Sequence, residues 1–228
     1  MENKMIGFLG AEKYDILLYL SRILYRLNKK VLLVDYAENR ALTYCVPVPR
    51  VITIQKECIH YQGIDFLVEP AYTELMEVKN QYDIILVDFG FQVYSKLLSE
   101  CGQIYLCMDQ QLHNMMQLRP IQQMEELTSR CYLLFRQIYD CKIGSNYLLE
   151  ELGLPLKERQ VFAYYQDSMD MKYCIDSQYN HTFQFAHISR GLKSCLLFIL
   201  RNVLPSLTEQ QRKSAYRVAK AASAAGKG

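Results

Sequence analysis

The chain is expected to fold as a three-layer α/β domain, a mainly parallel sheet flanked by helices, and three observations carry that expectation. Residues 5–35 read as a strand, a glycine turn, a helix of about four turns and a second strand. Two later segments, 82–88 and 104–109, are apolar almost throughout and close on Asp88 and Asp109, which suits strands buried on both faces of a parallel sheet. Helical stretches separate the strands, so the alternation is that of βαβ units.

The first strand, 5–9, runs into Gly7-Phe8-Leu9-Gly10-Ala11-Glu12-Lys13-Tyr14. Against the phosphate-loop pattern G-x-x-x-x-G-K-[ST], only Gly7 and Lys13 match. In such a loop the glycines let backbone N–H groups crowd around phosphates, and the hydroxyl residue coordinates magnesium. Glu12 instead brings a negative charge to the place of a β-phosphate, where like charges shielded from water repel strongly. Tyr14 carries its hydroxyl a whole ring away from where a serine would hold it. Lys13 is therefore expected to pair with Glu12, Asp35 or Asp88 as a structural substitute for phosphate.

The helix that follows places Ile16, Leu17, Leu20, Ile23, Leu24 and Leu27 on one stripe and Arg22, Arg26 and Lys29 largely off it, as for a helix lying against a sheet. Asn28-Lys29-Lys30 ends it with turn residues and positive charge. Val31-Leu32-Leu33-Val34-Asp35 is the second strand. Residues 36–80 carry Pro47, Pro49 and Pro70, short strands at 51–54 and 64–68, and a turn at Gly63. Tyr36, Tyr44 and Tyr61 give this region aromatic surface suited to protein contacts. After the strands at 82–88 and 104–109, a further strand is expected at 131–135. Residues 192–204 form an apolar helix interrupted by Lys193 and Arg201, a core or interface helix.

Residues 1–204 are expected to form one domain and 205–228 a basic helix with a disordered tail. Ser206-Leu207-Thr208-Glu209 has the pattern of a capping box, so a helix is expected from there to about Ala222. Its apolar face, Ala215, Val218, Ala219 and Ala222, is too thin to hold a lipid surface firmly.

Composition excludes several classes. A formal net charge of +2 over 228 residues gives no general attraction to nucleic acid. No apolar run is long enough to span a membrane, and residues 1–4 lead directly into a core strand, so no targeting segment is expected. The eight cysteines include no C-x-x-C pair and are expected as reduced, packed thiols of a cytoplasmic protein. The four histidines, His181 and His187 included, show no zinc spacing. No catalytic nucleophile motif and no metal site are expected.

The order of a phosphate-loop-like turn, V-L-L-V-D, Y-D-I-I-L-V-D and a strand followed by a long helix resembles the MinD/ParA class of P-loop ATPases. The resemblance is strongest to the degenerate branch containing the pilus-assembly localisation proteins TadZ and CpaE. It covers about residues 3–200 and implies a P-loop NTPase-like fold of the SIMIBI, MinD type. The family loop K-G-G-x-G-K-[ST] falls on Phe8-Leu9-Gly10-Ala11-Glu12-Lys13-Tyr14, where only Gly10 and Lys13 match. Phe8 replaces the signature lysine that reaches a partner's nucleotide across a dimer. Asp35 matches the family's water-activating or magnesium-shell aspartate, and Asp88 its Walker B aspartate. Phe135-Arg136 replaces an adenine-reading asparagine.

The resemblance therefore implies a non-catalytic scaffold or positioning protein for a bacterial pilus or secretion assembly, with no required cofactor. Protein partners are expected, among them a secretion or pilus ATPase, together with a homodimer. Nucleic acid is not expected, and membrane association is at most peripheral. The alternative is an atypical ATPase that binds ATP and magnesium through Gly7, Gly10, Lys13, Asp35 and Asp88 and switches between monomer and dimer.

Overall fold

The computed structural model describes residues 4–47 and 58–225. In chain order its elements are β1 (Lys4–Gly10), α1 (Tyr14–Arg26), β2 (Val31–Asp35), β3 (Ile59–Tyr61), β4 (Ile64–Val68), α2 (Tyr72–Val78), β5 (Ile84–Asp88) and β6 (Gln103–Met108). There follow α3 (Leu112–Leu118), α4 (Glu125–Thr128), β7 (Cys131–Ile138), α5 (Ser145–Leu152), β8 (Val161–Tyr165), α6 (Ser168–Asn180), α7 (Arg190–Val203) and α8 (Glu209–Ala225). The strands form one sheet in the order β3-β4-β2-β5-β1-β6-β7-β8. Every pairing is parallel except β3 with β4. The expected fold class is the one observed. The strand expected at 51–54 lies outside the described residues.

The three layers follow from the period of the strands. Successive side chains point to opposite faces, so Ile6 and Phe8 enter one core with Leu33, Leu86 and Tyr105. Met5 and Leu9 enter the other with Leu32, Val34 and Ile85. Side chains of α1, α6, α7 and α8 fill the first core, and those of α2, α3, α4 and α5 the second. Strands apolar on both faces are what two helical layers require.

Some local expectations are corrected. The strand expected to end at residue 9 continues through Gly10. From Tyr14 to Leu24, α1 is buried on every side, because α6, α7 and α8 pack on it in addition to the sheet. Arg22, expected largely off the apolar stripe, is buried and donates a hydrogen bond to the Gln62 carbonyl at 2.7 Å. Residues 59–61, not recognised as a strand, pair with β4 through a two-residue turn at Gln62-Gly63, both with positive φ, the conformation that tight hairpins demand.

The last helix also differs in detail. Its capping box is formed by Thr208 and Gln211, whose side chains accept from each other's backbone N–H at 3.2 and 2.8 Å. It seats Ala215, Tyr216 and Ala219 in the core that α1 shares, leaves Val218 exposed, and continues past Ala222 to Ala225. Tyr216 packs against Phe185 with ring centroids 5.7 Å apart. Ser223, expected in the tail, is buried, and its hydroxyl accepts from the Phe185 N–H at 3.5 Å.

Gly10 has φ +102°, and a Cβ there would lie 2.1 Å from the Cys107 carbonyl oxygen of β6. Gly10→Ala is expected to lower stability by more than about 2 kcal/mol or to prevent folding. Gly144→Ala, where a new methyl meets nothing within 4 Å, should cost under about 1 kcal/mol. Urea midpoints of the two variants check the contrast.

Candidate functional site

The site forms where β1, β2 and β5 end together at the carboxyl edge of the sheet. β1 is central, with β5 on one side and β6 on the other. From β1 the chain first travels outward to β2 and later returns across β1 to β6, so this edge is a topological switch point, the usual place for a ligand in an open parallel sheet. Asp35 and Asp88 are register partners on β2 and β5, and Lys13 immediately precedes α1. Lys13, Asp35 and Asp88, named from the sequence, are thus brought together.

The turn that holds Lys13 is short. Gly7, Phe8 and Gly10 all belong to β1 and pair with β6, and Gly7 and Phe8 also pair with β5. Only Ala11, Glu12 and Lys13 remain between β1 and α1. The Gly10 N–H donates to the Gly90 carbonyl at 2.6 Å, and the Ala11 N–H to the Cys107 carbonyl at 2.9 Å. These two amides face protein oxygens, whereas a phosphate-binding turn leaves such groups open. Phe8 is fully buried and stacks on Tyr105 at 5.1 Å, so its side chain lies inside the core.

Of the three partners expected for Lys13, the structure selects Asp88. The ammonium lies 2.7 Å from Asp88 Oδ1 and also donates to the Gly10 carbonyl at 2.9 Å, with both charged side chains only 3% exposed. Asp88 Oδ1 also accepts from the Gly90 N–H at 2.9 Å, made possible by Gly90 at φ +53°. Glu12 points outward, and its carboxylate accepts from the Asn39 side chain. The Tyr14 hydroxyl turns away and donates to the Cys174 carbonyl of α6 at 3.1 Å.

Asp35 does not contact Lys13. Its carboxylate accepts from the Ala37 N–H at 3.1 Å, the Thr43 N–H at 3.0 Å and the Thr43 hydroxyl at 2.9 Å. Burial, and next the neighbouring Asp88 charge, push its pKa up to about 6 against the lowering effect of those hydrogen bonds.

A second buried ion pair was missed in the sequence. Arg136 of β7 makes a bidentate contact with Asp15 in the first turn of α1, both bonds 2.8 Å long. The two side chains are 2% and 1% exposed. One extra β7 residue lies between the Phe135↔Ala163 and Ile138↔Tyr165 pairings, with Gln137 at φ +55°, a bulge of the kind that redirects a side chain. Burial alone would lower the Arg136 pKa, but Asp15, helped by Tyr164 and Cys174, raises it well above the usual value. The available signal was an arginine in an apolar strand, since a buried guanidinium requires a carboxylate. Among the described residues, no cluster of histidine, cysteine and carboxylate side chains has a metal-binding arrangement.

No protein-family model matches the chain, and no curated protein matches it in sequence. Solved structures do resemble it. The cell-division protein MinD of Aquifex aeolicus has a TM-score of 0.61 at 13% identity, covering 90% of this chain and 98% of that one. A plasmid partition protein of Borrelia burgdorferi bound to AMPPNP has a TM-score of 0.61 at 12% identity, covering 90% and 100%. A ParA-family ATPase of Chlorobium tepidum has a TM-score of 0.57 at 14% identity, covering 95% and 97%. The fold is that of the MinD/ParA ATPases.

Lys13→Met leaves Asp88 buried and unpaired and should cost about 3–5 kcal/mol. Adding Asp88→Asn removes the orphaned charge and should restore most of that loss, as a double-mutant cycle in urea would show. Asp35 titrates at about 6 in the folded chain against an ordinary 3.8, so between those values the folded state holds the extra proton. Stability conferred by this group therefore falls as pH rises through that window, by up to about 3 kcal/mol at roughly 1.4 kcal/mol per unit. The stability of wild type minus that of Asp35→Asn, measured in urea across the window, should decrease with pH. A flat or rising difference contradicts the assignment.

Proposed function

We propose that this chain is a non-catalytic MinD/ParA-like scaffold or positioning protein, acting in the cytoplasm for a bacterial pilus or secretion assembly. The observation that carries the reading is the Lys13–Asp88 pair: the cation that would meet a nucleotide's phosphates is buried against a carboxylate at 2.7 Å. Magnesium nucleotide fits these residues poorly. Gly10 and Ala11 direct their amides at protein carbonyls, Tyr14 holds its hydroxyl against α6, and Arg136 is paired with Asp15. A phosphate chain here would meet Asp88, Asp35 and Glu12, while Lys13 and Arg136 are already paired with carboxylates.

Function then lies in protein contacts, with a secretion or pilus ATPase and a second copy of the chain as the partners the family resemblance implies. The competing reading, an atypical ATPase, draws on the convergence of Lys13 and Asp88 at the switch point. It would require the ion pair to open and Asp88 to exchange its lysine for a metal shell.

Calorimetric titration with ATP, and separately ADP, in the presence of magnesium decides between them. No heat is expected up to millimolar nucleotide. Binding tighter than about 100 μM, or roughly 5.5 kcal/mol, would overturn the non-catalytic reading.

A further inference from the structure

The opposite end of the sheet carries a second surface. A groove of about 700 Å³ runs between β8, α7 and the start of α8, floored by Phe162, Leu197 and Phe198 and walled by Arg159, Arg201 and Arg212. It is continuous, through Arg159 and Arg201, with a cavity of about 750 Å³ that reaches Lys157 and Tyr132 at the amino ends of β7 and β8. Together they are lined by five cations and two carboxylates, Glu158 and Glu209. Lys213 pairs with Glu209. Arg159 and Arg201 are exposed and form no ion pair among the described residues.

The groove also meets the start of a strand edge. Among the described residues β8 is a terminal strand of the sheet, paired only with β7. Val161 and Phe162 are consecutive and pack against opposite cores, yet both line the groove. The groove therefore reaches β8 at its amino end, where the free outer edge of the strand begins.

We propose that this groove binds an acidic segment of a partner protein, in extended conformation, as an added strand on β8. Main-chain hydrogen bonds along the edge supply affinity, the apolar floor takes alternate side chains, and the arginines select carboxylates between them. A nucleic acid is disfavoured because Glu158, Glu209 and an apolar floor share the groove with its cations and the whole chain carries only +2. The assignment is independent of nucleotide binding, because Lys13 follows the carboxyl end of β1 and the groove meets the amino ends of strands parallel to it.

The test uses a fluorescent peptide of alternating valine and glutamate, titrated against the full chain at roughly physiological salt. Saturable binding is expected. It should weaken by about tenfold or more in R159E/R201E, be lost when glutamate is replaced by lysine, and be lost when alternate peptide nitrogens are methylated, which blocks strand pairing. Unchanged circular dichroism of the variant verifies its fold. Absence of binding, equal binding to the variant, or survival after N-methylation overturns the proposal. So does tighter, R159E/R201E-sensitive binding of duplex DNA or of phosphatidylserine vesicles.

Discussion

The carboxyl edge of this sheet depends on one interaction, the buried contact between Lys13 and Asp88. An ammonium group taken out of water must meet an anion or lose its charge. In a phosphate-binding turn the ligand supplies that anion; here β5 supplies it, at 2.7 Å. The contact joins the residue preceding α1 to the strand beside β1, and the rest of the edge adapts to it. Gly90 donates to the same carboxylate oxygen while its carbonyl accepts the Gly10 amide, which closes the turn from above. Asp35, one strand away, is buried beside the Asp88 carboxylate, and burial first and that neighbouring charge second raise its pKa to about 6.

The first turn of α1 is closed in a second way. A helix amino terminus carries a partial positive charge and exposed amides, which is why it attracts anions. Asp15 places a carboxylate there from within the chain, and Arg136 balances it across the bulge of β7. Two buried ion pairs within three residues of each other are a costly way to gain stability, because each must repay the desolvation of both partners. Their effect is to fix geometry. Lys13 ties the turn to β5, Arg136 ties α1 to β7, and the helix is held in register over the sheet without a ligand.

Much of the fold was legible because its strands are extreme. Val31-Leu32-Leu33-Val34 and Ile84-Ile85-Leu86-Val87 have no polar face, and only a strand covered on both sides accepts such a run. Lys13, Asp35 and Asp88 were legible because strand ends in a parallel sheet share one edge, although the sequence left three possible partners for Lys13. The Asp15–Arg136 pair was hidden by 121 positions of separation and by a bulge with no glycine to announce it. Of the hairpin at 59–68, the strand at 64–68 and the turn at Gly63 were legible, and β3 was hidden because it is three residues long. The packing of α8 was obscured by its alanines: counted as apolar area they are thin, but small side chains permit close approach, and Tyr216 supplies the bulk at the contact.

The two edges of the sheet are protected differently, and this bears on which contacts they accept. β3 is short and antiparallel to β4, which limits its use as a template. β8 is longer, and a free strand of this kind invites pairing with copies of itself unless charge prevents it. Arg159, Arg201 and Arg212 flank its groove, so a second copy presenting the same edge would bring like charges together. An acidic strand would meet the opposite situation, gaining the same backbone hydrogen bonds with attraction in place of repulsion. The cations that discourage self-association therefore also define the chemistry of a permitted partner, and they do so on an edge far from the closed lysine turn.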